Sequence, residues 1–372
     1  MTTVALQTVP PKTCWTVDVE EKDGKMSEPK SLFTNNNETK VEVDDGVVPR
    51  RKMTMAEGLR PLLASMKMFG LYFDLPSEGV GDDRKEKWKR NAYKSYAVAV
   101  VVLLWINAVR MFSTFTREDG FGLALFNKLT SISWFVQCAV MQTTFYAASV
   151  NGRLAVAFDQ VLDDSCAKHA RKFSTVYAVL AWSIIAVSSA FTVYGFADGG
   201  NDHYLTPLQN HIVVSNPLVP RIIACLVIFY VSAAFTFSVA TTFVLALIFS
   251  CEFKKINETL GRLLDNDRQR QVSESDIETL RQKHQQISMS VSHVDDCLMF
   301  SNAAAFCCQV FSVVVLLYVL IFYHSVMGDA VIIVAYVVSM FTCAFGLLLA
   351  AAGGIIIHHH VRIHGSITVA RL

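Results

Sequence analysis

Residues that could do chemistry are few in this chain, and their spacing fits no metal or catalytic site. Three consecutive histidines, His358–His360, precede His364, and histidines four residues apart on a helix can hold a metal. No carboxylates accompany them, so a polar collar at a helix end explains them better than a metal site. Solvated surface charge explains the acidic pairs Asp163–Asp164 and Asp295–Asp296. We therefore expect no metal and no cofactor.

Other reactive side chains lead to the same conclusion about catalysis. The chain has 9 cysteines, most of them inside apolar blocks, and no predicted external loop contains one. An extracellular disulfide framework is therefore not expected. The adjacent Cys307 and Cys308 are explained as small packing residues. No phosphate-binding glycine loop, nucleophile elbow or zinc-spaced cysteine set occurs, so we predict that the protein is not an enzyme.

The composition indicates a protein that is solvated by lipid. Hydrophobic residues make up 52% of the 372 residues, charged residues 17%, and the mean hydropathy is +0.37. Soluble domains carry about 25% charged residues. The net charge of +1 gives no indication of a nucleic-acid partner. Because the apolar residues are concentrated in long uncharged blocks, the elements that must position any site are membrane-spanning helices.

Six apolar blocks are long enough to span a bilayer, which takes about 20 residues in a helix. The fourth is longer than needed and predicts a tilted helix that projects into the cytosol. The six blocks are Tyr96–Phe115, Leu123–Val150, Ser174–Phe196, Ile222–Cys251, Met299–Tyr323 and Ala330–Ile357. The sequence therefore predicts an all-α, polytopic membrane helical bundle with six spanning helices at residues 95–372.

Basic residues predict the orientation of this bundle. They are concentrated before the first block, after the second and after the fourth, whereas the other loops have few. Positive charge favours the cytosolic side, so both termini are predicted to be cytosolic. This orientation excludes a rhodopsin-like receptor, whose N-terminus is outside.

Two cytosolic regions precede the bundle in the sequence. Residues 1–55 are polar and predict a disordered cytosolic tail. Residues 56–94 predict an amphipathic pre-membrane helix at the membrane interface, followed by a basic juxtamembrane segment. Leu59, Leu62 and Met66 form part of the apolar stripe of that helix.

Residues 252–298 predict cytosolic extensions of the fourth and fifth spanning helices. Ser275 and Glu278 have the spacing of a capping box at the start of the second extension. The extensions would pair antiparallel and bury an apolar stripe, either against a neighbouring subunit or within the chain. The predicted subunit anchor consists of Phe253, Ile256, Leu260, Leu280, His284 and Ile287.

The residues of these extensions also carry a resemblance to a known family. The patterns Phe253-x-x-Ile256-Asn257-x-x-Leu260, Leu280-Arg281-x-x-His284 and Leu317-Tyr318-x-Leu320, with Leu59-Arg60-Pro61-Leu62, resemble the invertebrate gustatory receptors over residues 56–372. Members of that family have seven helices, and the last contains Thr-Tyr and ends in Gln-Phe. Neither dipeptide occurs here, so the chain is expected to stop before the final helix, which lines the pore in the family.

The resemblance implies a multi-pass receptor of the plasma membrane, forming a homo- or hetero-tetrameric ligand-gated cation channel with related receptors. Its ligand would be a small organic molecule bound among the outer halves of the helices. Helix packing or an interfacial aromatic belt is the alternative role for the aromatic residues in that region. The predicted pocket consists of Trp134, Phe191, Tyr194, Tyr230, Tyr318 and Tyr336.

Two other functions remain open at this point. A six-helix membrane transporter would show broken helices and an internal repeat, for which Gly353–Gly354 is the only candidate feature. A non-conducting regulatory subunit is the other alternative, because the pore helix is expected to be missing. The polar Gln137, Gln142 and Gln309 inside the blocks are expected to hydrogen-bond between helices.

Overall fold

The computed structural model of the chain describes residues 53–72, 84–115, 122–197, 218–266, 274–322 and 330–369. The predicted disordered tail lies outside the described residues, apart from its last three positions. The described ranges contain eight α-helices. They are α1 (Met55–Met68), α2 (Arg84–Phe112), α3 (Leu123–Val150), α4 (Arg153–Phe158), α5 (Asp164–Ala197), α6 (Leu218–Asn266), α7 (Glu274–Phe322) and α8 (Ala330–Val369).

Each predicted apolar block coincides for most of its length with one of these helices; the first continues to Phe115, whereas α2 ends at Phe112. α2, α3, α5, α6 and α7 are long and apolar enough to cross a membrane. The sixth block lies in α8, a helix of 40 residues whose described apolar stretch is Tyr336–Ala352. The predicted all-α membrane bundle is confirmed.

α6 and α7 extend far beyond their apolar blocks. Each has 49 residues and is about 74 Å long, against a hydrocarbon thickness of about 30 Å. α7 already begins at Glu274, so Ser275 lies within the helix and not at the N-cap position that the predicted capping box requires. The Glu278 carboxylate instead accepts hydrogen bonds from Arg281 and Gln282. Following the predicted orientation, we call the end of the bundle with these extensions the inner end, and the opposite end the outer end.

The start of α1 has a capping box that the sequence analysis missed. The Thr54 hydroxyl accepts a hydrogen bond from the Glu57 N–H, and the Glu57 carboxylate accepts one from the Thr54 N–H. This reciprocal arrangement satisfies two backbone donors that the first helical turn leaves free. The Met55 N–H also donates to the Gln160 carbonyl, just before α5. The beginning of α1 is thus fixed to a distant part of the chain.

α1 packs against other helices of the same chain, whereas its predicted position at the membrane interface stays a prediction. Leu59 and Leu62 are fully buried. The Ser174 hydroxyl of α5 accepts from the Leu62 N–H and donates to the Leu59 carbonyl. The Thr241 hydroxyl of α6 donates to the sulfur of Met66. Because these partners belong to two spanning helices, the apolar stripe of α1 packs against protein.

Glycine is required where the chain leaves α1. Gly70 has a φ of +67°, a left-handed conformation that is costly for residues with a Cβ. A Cβ at this position would also lie only 3.1 Å from the Cα of Ala97 in α2. The turn at Gly70 therefore lets the chain pass close against the backbone of α2.

Buried apolar side chains form three clusters in the described residues. The largest joins α1 to α4, α5, α6 and the inner part of α7, and includes Phe237. A second, around Phe135, joins α2, α3 and α6. The third is small, lies at the outer ends of α7 and α8, and contains Tyr336. The bundle is thus packed most extensively around α1 and least at its outer α7–α8 corner.

Candidate functional site

An aromatic cluster surrounds Phe69, at the end of α1. The rings of Trp182, Phe229, Tyr230 and Phe237 lie with their centroids 5.2 to 5.9 Å from the Phe69 ring. Such distances are typical of favourable tilted and edge-to-face pairs. We call these five residues the Phe69 cluster. It brings together α1, α5 and α6 in the middle of the bundle.

Polar atoms around the Phe69 cluster have partners. The Tyr96 hydroxyl donates to the Met68 carbonyl and lies 3.1 Å from the Tyr230 hydroxyl. The Gln142 amide donates to the Phe69 carbonyl, so it joins a spanning helix to the end of α1. These partners are important because a buried hydroxyl without a hydrogen bond lowers the stability of the fold. Tyr230, a predicted ligand residue, therefore lies in a packed region with its hydroxyl against Tyr96, and its predicted ligand role stays a prediction.

Two other predicted ligand residues meet at the outer end of α7 and α8. The Tyr336 hydroxyl donates to the side-chain oxygen of Asn127 in α3, and Tyr336 is 1% exposed. The Tyr318 ring stacks between Phe126 and Phe322, with centroids 4.9 and 4.7 Å away. Tyr318 is 38% exposed. We call these five residues the outer cluster, and its aromatic surface and accessible tyrosine suit a small organic molecule.

The remaining predicted pocket residues lie elsewhere. Trp134 packs against Phe235, with ring centroids 4.6 Å apart, in the contact of α3 with α6. Phe191 and Tyr194 are exposed on the surface of α5. The six predicted residues thus fall into four separate places, and only Tyr318 and Tyr336 share a cluster at the outer end.

The inner halves of α6, α7 and α8 enclose a crevice of about 570 Å³, which we call the inner crevice. α6 contributes Ser238, Thr242 and Ala246 to its wall, spaced by four residues. Small side chains at this spacing form one helix face that allows close approach of another helix. That spacing is visible in the sequence, but the uniformly apolar composition of the fourth block obscured it.

Two polar groups mark the wall of the inner crevice. The Ser238 hydroxyl is buried and has no hydrogen-bond partner among the described residues; an unpaired hydroxyl costs about 1–3 kcal/mol in an apolar setting. Gln309 of α7 is 2% exposed and lies against Gly346 of α8. A Cβ at Gly346 would come 2.9 Å from the Gln309 amide nitrogen. Gly346 therefore provides the space that the Gln309 side chain occupies.

A charged cluster ties three elements together at the inner end. Glu252 of α6 is fully buried, accepts a hydrogen bond from the Asp163 N–H, and has Lys283 of α7 3.5 Å away. The Asp163 carboxylate lies 2.7 Å from the Lys255 ammonium. That hydrogen bond from Lys255 holds the pKa of Asp163 below its ordinary value. We call these four residues the inner clamp.

Residues of the predicted subunit anchor lie next to the inner clamp. Phe253, Ile256 and Ile287 are buried in the hydrophobic core of the same chain. Leu260 and His284 are only half-buried, and Leu280 packs at the edge of that core. The buried members thus already have partners within the chain.

A search of the described residues finds no group of three or more metal-ligating side chains. The side chains of His358–His360 and His364 lie outside the described residues, although their backbone belongs to α8. α8 also continues as a helix through Gly353 and Gly354. The described part of α8 therefore lacks the helix break that a transporter site would need there.

Together, the apolar helices and their packing define a multi-pass membrane protein. A profile described as 7tm chemosensory receptor matches residues 59–363. The chain therefore belongs to the 7tm chemosensory receptor family, and the resemblance seen in the sequence is confirmed at the level of this superfamily.

Among solved structures, the insect olfactory receptor OR5 from Machilis hrabei has a similar fold. The TM-score is 0.55 at 15% sequence identity, and the match covers 81% of this chain and 81% of that one. No curated protein sequence matches the chain. The shared fold supports the helical membrane bundle derived above.

Proposed function

We propose that this chemosensory receptor is of the gustatory type and acts as a subunit of a ligand-gated cation channel in the plasma membrane. The observation that carries the proposal is the course of α7 and α8. The same two helices form the outer cluster and line the inner crevice. A ligand that moves one end of these helices therefore acts on the other end.

The ligand would be a small organic molecule bound at the outer cluster. Tyr318 is 38% exposed, whereas Tyr336 is buried with its hydroxyl on Asn127, so Tyr318 is the accessible aromatic residue of the cluster. Binding against Tyr318 would shift α7, and the rigid helix would carry the shift to the crevice. The ligand changes the closed–open equilibrium only if it binds the open conformation more tightly.

The inner crevice supports the proposed channel in a second way. Its small-residue face on α6 suits close packing of a further apolar helix. The pore-lining seventh helix implied by the gustatory-receptor resemblance stays a prediction, and we propose the crevice as the surface that receives it. The unpartnered Ser238 hydroxyl would then find an acceptor on that helix.

Subunit contacts in the proposed tetramer would involve the accessible part of the predicted anchor. Packing inside the chain accounts for Phe253, Ile256 and Ile287. Leu260, Leu280 and His284 retain exposed surface, so we assign contacts with neighbouring receptors to them. Membrane lipid would cover the apolar outward faces of the spanning helices.

The test is a ligand screen on cells that express the chain, alone and with related receptors. Sugars, bitter compounds and amino acids are applied while cation entry and ligand binding are recorded separately. For an active compound, Tyr318→Ala is expected to raise the half-maximal concentration at least tenfold. Tyr93→Ala, which changes an exposed tyrosine of α2, is the matched control and should leave it unchanged.

The outcomes separate the proposed channel from its alternative. Ligand binding without cation entry in every receptor combination would contradict the channel and leave a non-conducting regulatory subunit. An equal loss of response in both variants would contradict the location at the outer cluster. Surface labelling of each variant excludes a simple loss of expression.

A further inference from the structure

Two cysteine thiols meet at the inner end of the bundle, where α5 begins and α6 leaves its apolar block. The sulfur atoms of Cys166 in α5 and Cys251 in α6 lie 2.6 Å apart. Both are free cysteines; Cys166 is fully buried and Cys251 is partly exposed. The proposed ligand response does not use these side chains, although Cys166 also contacts the Glu252 carboxylate of the inner clamp. Their contact therefore calls for a separate explanation.

We propose that Cys166 and Cys251 form a redox modification site that closes to a disulfide on exposure to a hydroperoxide. A disulfide has a sulfur–sulfur distance of about 2.05 Å, so the two sulfurs need to approach by only about 0.5 Å from their 2.6 Å separation. The helices already hold the partners together. The predicted cytosolic location implies that the thiols are the resting state, because that compartment is reducing.

The different exposure of the two thiols assigns the order of the steps. The accessible Cys251 sulfur, as a thiolate, attacks one oxygen of hydrogen peroxide and breaks the O–O bond. Cys251 becomes a sulfenic acid, and the departing hydroxide takes up a proton to form water. The buried Cys166 sulfur then attacks the Cys251 sulfur and displaces its hydroxyl group as hydroxide. The proton of the Cys166 thiol joins that hydroxide to form a second water. Two thiols and one peroxide give one disulfide and two waters, and a dithiol reductant reverses the change.

The position of the pair gives the disulfide a mechanical consequence. Cys251 directly precedes Glu252, which links α6 to the Asp163 backbone and to Lys283 of α7. A covalent bond from Cys251 to Cys166 would add α5 to the elements fixed at this level. Oxidation would therefore hold the inner ends of α5, α6 and α7 together as one unit.

The test uses the full chain purified in detergent under reducing conditions. It is treated with hydrogen peroxide, alkylated and analysed by peptide mass spectrometry. The expected result is a cross-linked pair of peptides containing Cys166 and Cys251, lighter by two hydrogens and released by dithiothreitol. Cys166→Ser and Cys251→Ser should each abolish it. Cys297→Ser, which changes a buried cysteine of α7, is the matched control and should retain it.

A stability measurement separates a redox role from simple packing. Oxidation is expected to raise the thermal midpoint of the wild-type protein and of Cys297→Ser, but not of Cys166→Ser. If oxidation leaves the wild-type midpoint unchanged, Cys166→Ser is less stable than the wild type by the same amount before and after oxidation. The two residues then only fill space and the proposal is wrong. Peroxide that converts Cys251 to a sulfinic acid without any cross-link would equally overturn it.

Discussion

The Phe69 cluster and the inner crevice are two regions of one bundle that share α6 but differ in how that helix is covered. At the Phe69 cluster, α1 enters the bundle and the rings of two helices, α5 and α6, pack around its end. At the inner crevice, α6 presents small side chains to a cavity of about 570 Å³. One face of α6 is thus closed by large residues, and another remains open.

This difference shows how composition assigns tasks to the faces of a helix. Large aromatic side chains bury much area and fix neighbours, because each ring needs close contacts on several sides. Small side chains leave room for a neighbour that can arrive, leave or shift. We therefore expect stability to depend mainly on the Phe69 cluster and conformational change to depend mainly on the crevice.

The largest expected effect comes from removing the central ring of the closed region. Phe69→Ala should lower the free energy of unfolding by about 3–5 kcal/mol, the usual range for a buried phenylalanine. Heating detergent-purified protein and measuring the fraction that stays monodisperse checks this. Phe341→Ala is the control, because Phe341 on α8 is 64% exposed. Equal losses in the two variants would contradict the assigned importance of the Phe69 cluster.

The turn that follows Phe69 should be the next most sensitive position. Gly70→Ala forces a side chain into a left-handed conformation and against the Ala97 backbone, at an expected cost of about 1–3 kcal/mol. Gly261→Ala in α6 is the matched control, since nothing lies within 4 Å of the added carbon. That control should be neutral or slightly stabilising, because alanine favours a helix over glycine. The same thermal assay distinguishes the two.

A smaller effect is expected at the open region. Gly346→Ala should displace the Gln309 side chain and cost about 1 kcal/mol, because one flexible side chain can adjust. Gly354→Ala on the same helix meets no neighbour within 4 Å and should cost nothing. If Gly346→Ala lowered the free energy of unfolding as much as Phe69→Ala, the crevice wall would be as rigid as the closed region.

The smallest expected effect concerns the inner clamp and depends on pH. Because Lys255 holds the pKa of Asp163 below its ordinary value of 3.8, the folded state favours the carboxylate. Its contribution is fully present above the unfolded pKa and is lost as the pH falls through the lower, folded pKa. Since the Asp163 side chain is 39% exposed, we expect less than about 1 kcal/mol. The measurement is the thermal midpoint of each variant over a series of pH values. Asp163→Asn should remove this part of the acid dependence, whereas Asp295→Asn, which changes a residue on the crevice, should retain it.

The spanning helices could be predicted from the sequence because lipid imposes a strong rule on composition. The second predicted block, Leu123–Val150, has the same bounds as α3. The polar extension of α7 to Glu274 is less visible, because its stability depends on packing against other elements. Hydropathy thus locates the helix in the membrane but not its full length.

The clusters were harder to predict, since they depend on partners distant in the chain. An apolar stripe on α1 is compatible with a membrane surface or with a protein interior, and only the contacts with Ser174 and Thr241 decide between them. The structure places Tyr318 and Tyr336 at the same end of α7 and α8 beside Phe126 and Asn127, two partners that the sequence did not indicate; their role in ligand binding stays a prediction. Trp134 and Tyr194 are also aromatic residues with a polar atom, but Trp134 packs between two helices and Tyr194 is exposed. Topology predicts the level of a residue in the bundle, but it does not predict which side chains surround it.

The burial of α1 also sets an order of events during synthesis. α1 is made first, yet Met66 contacts Thr241, 175 residues later in the chain. At about 5–20 residues per second, the ribosome needs roughly 10–35 s to supply that partner. During this interval the apolar stripe of α1 lacks part of its native cover, because Ser174 of α5 is made before Thr241 of α6. The docking of α1 is therefore complete only after α6 is made, although α1 precedes α6 in the chain.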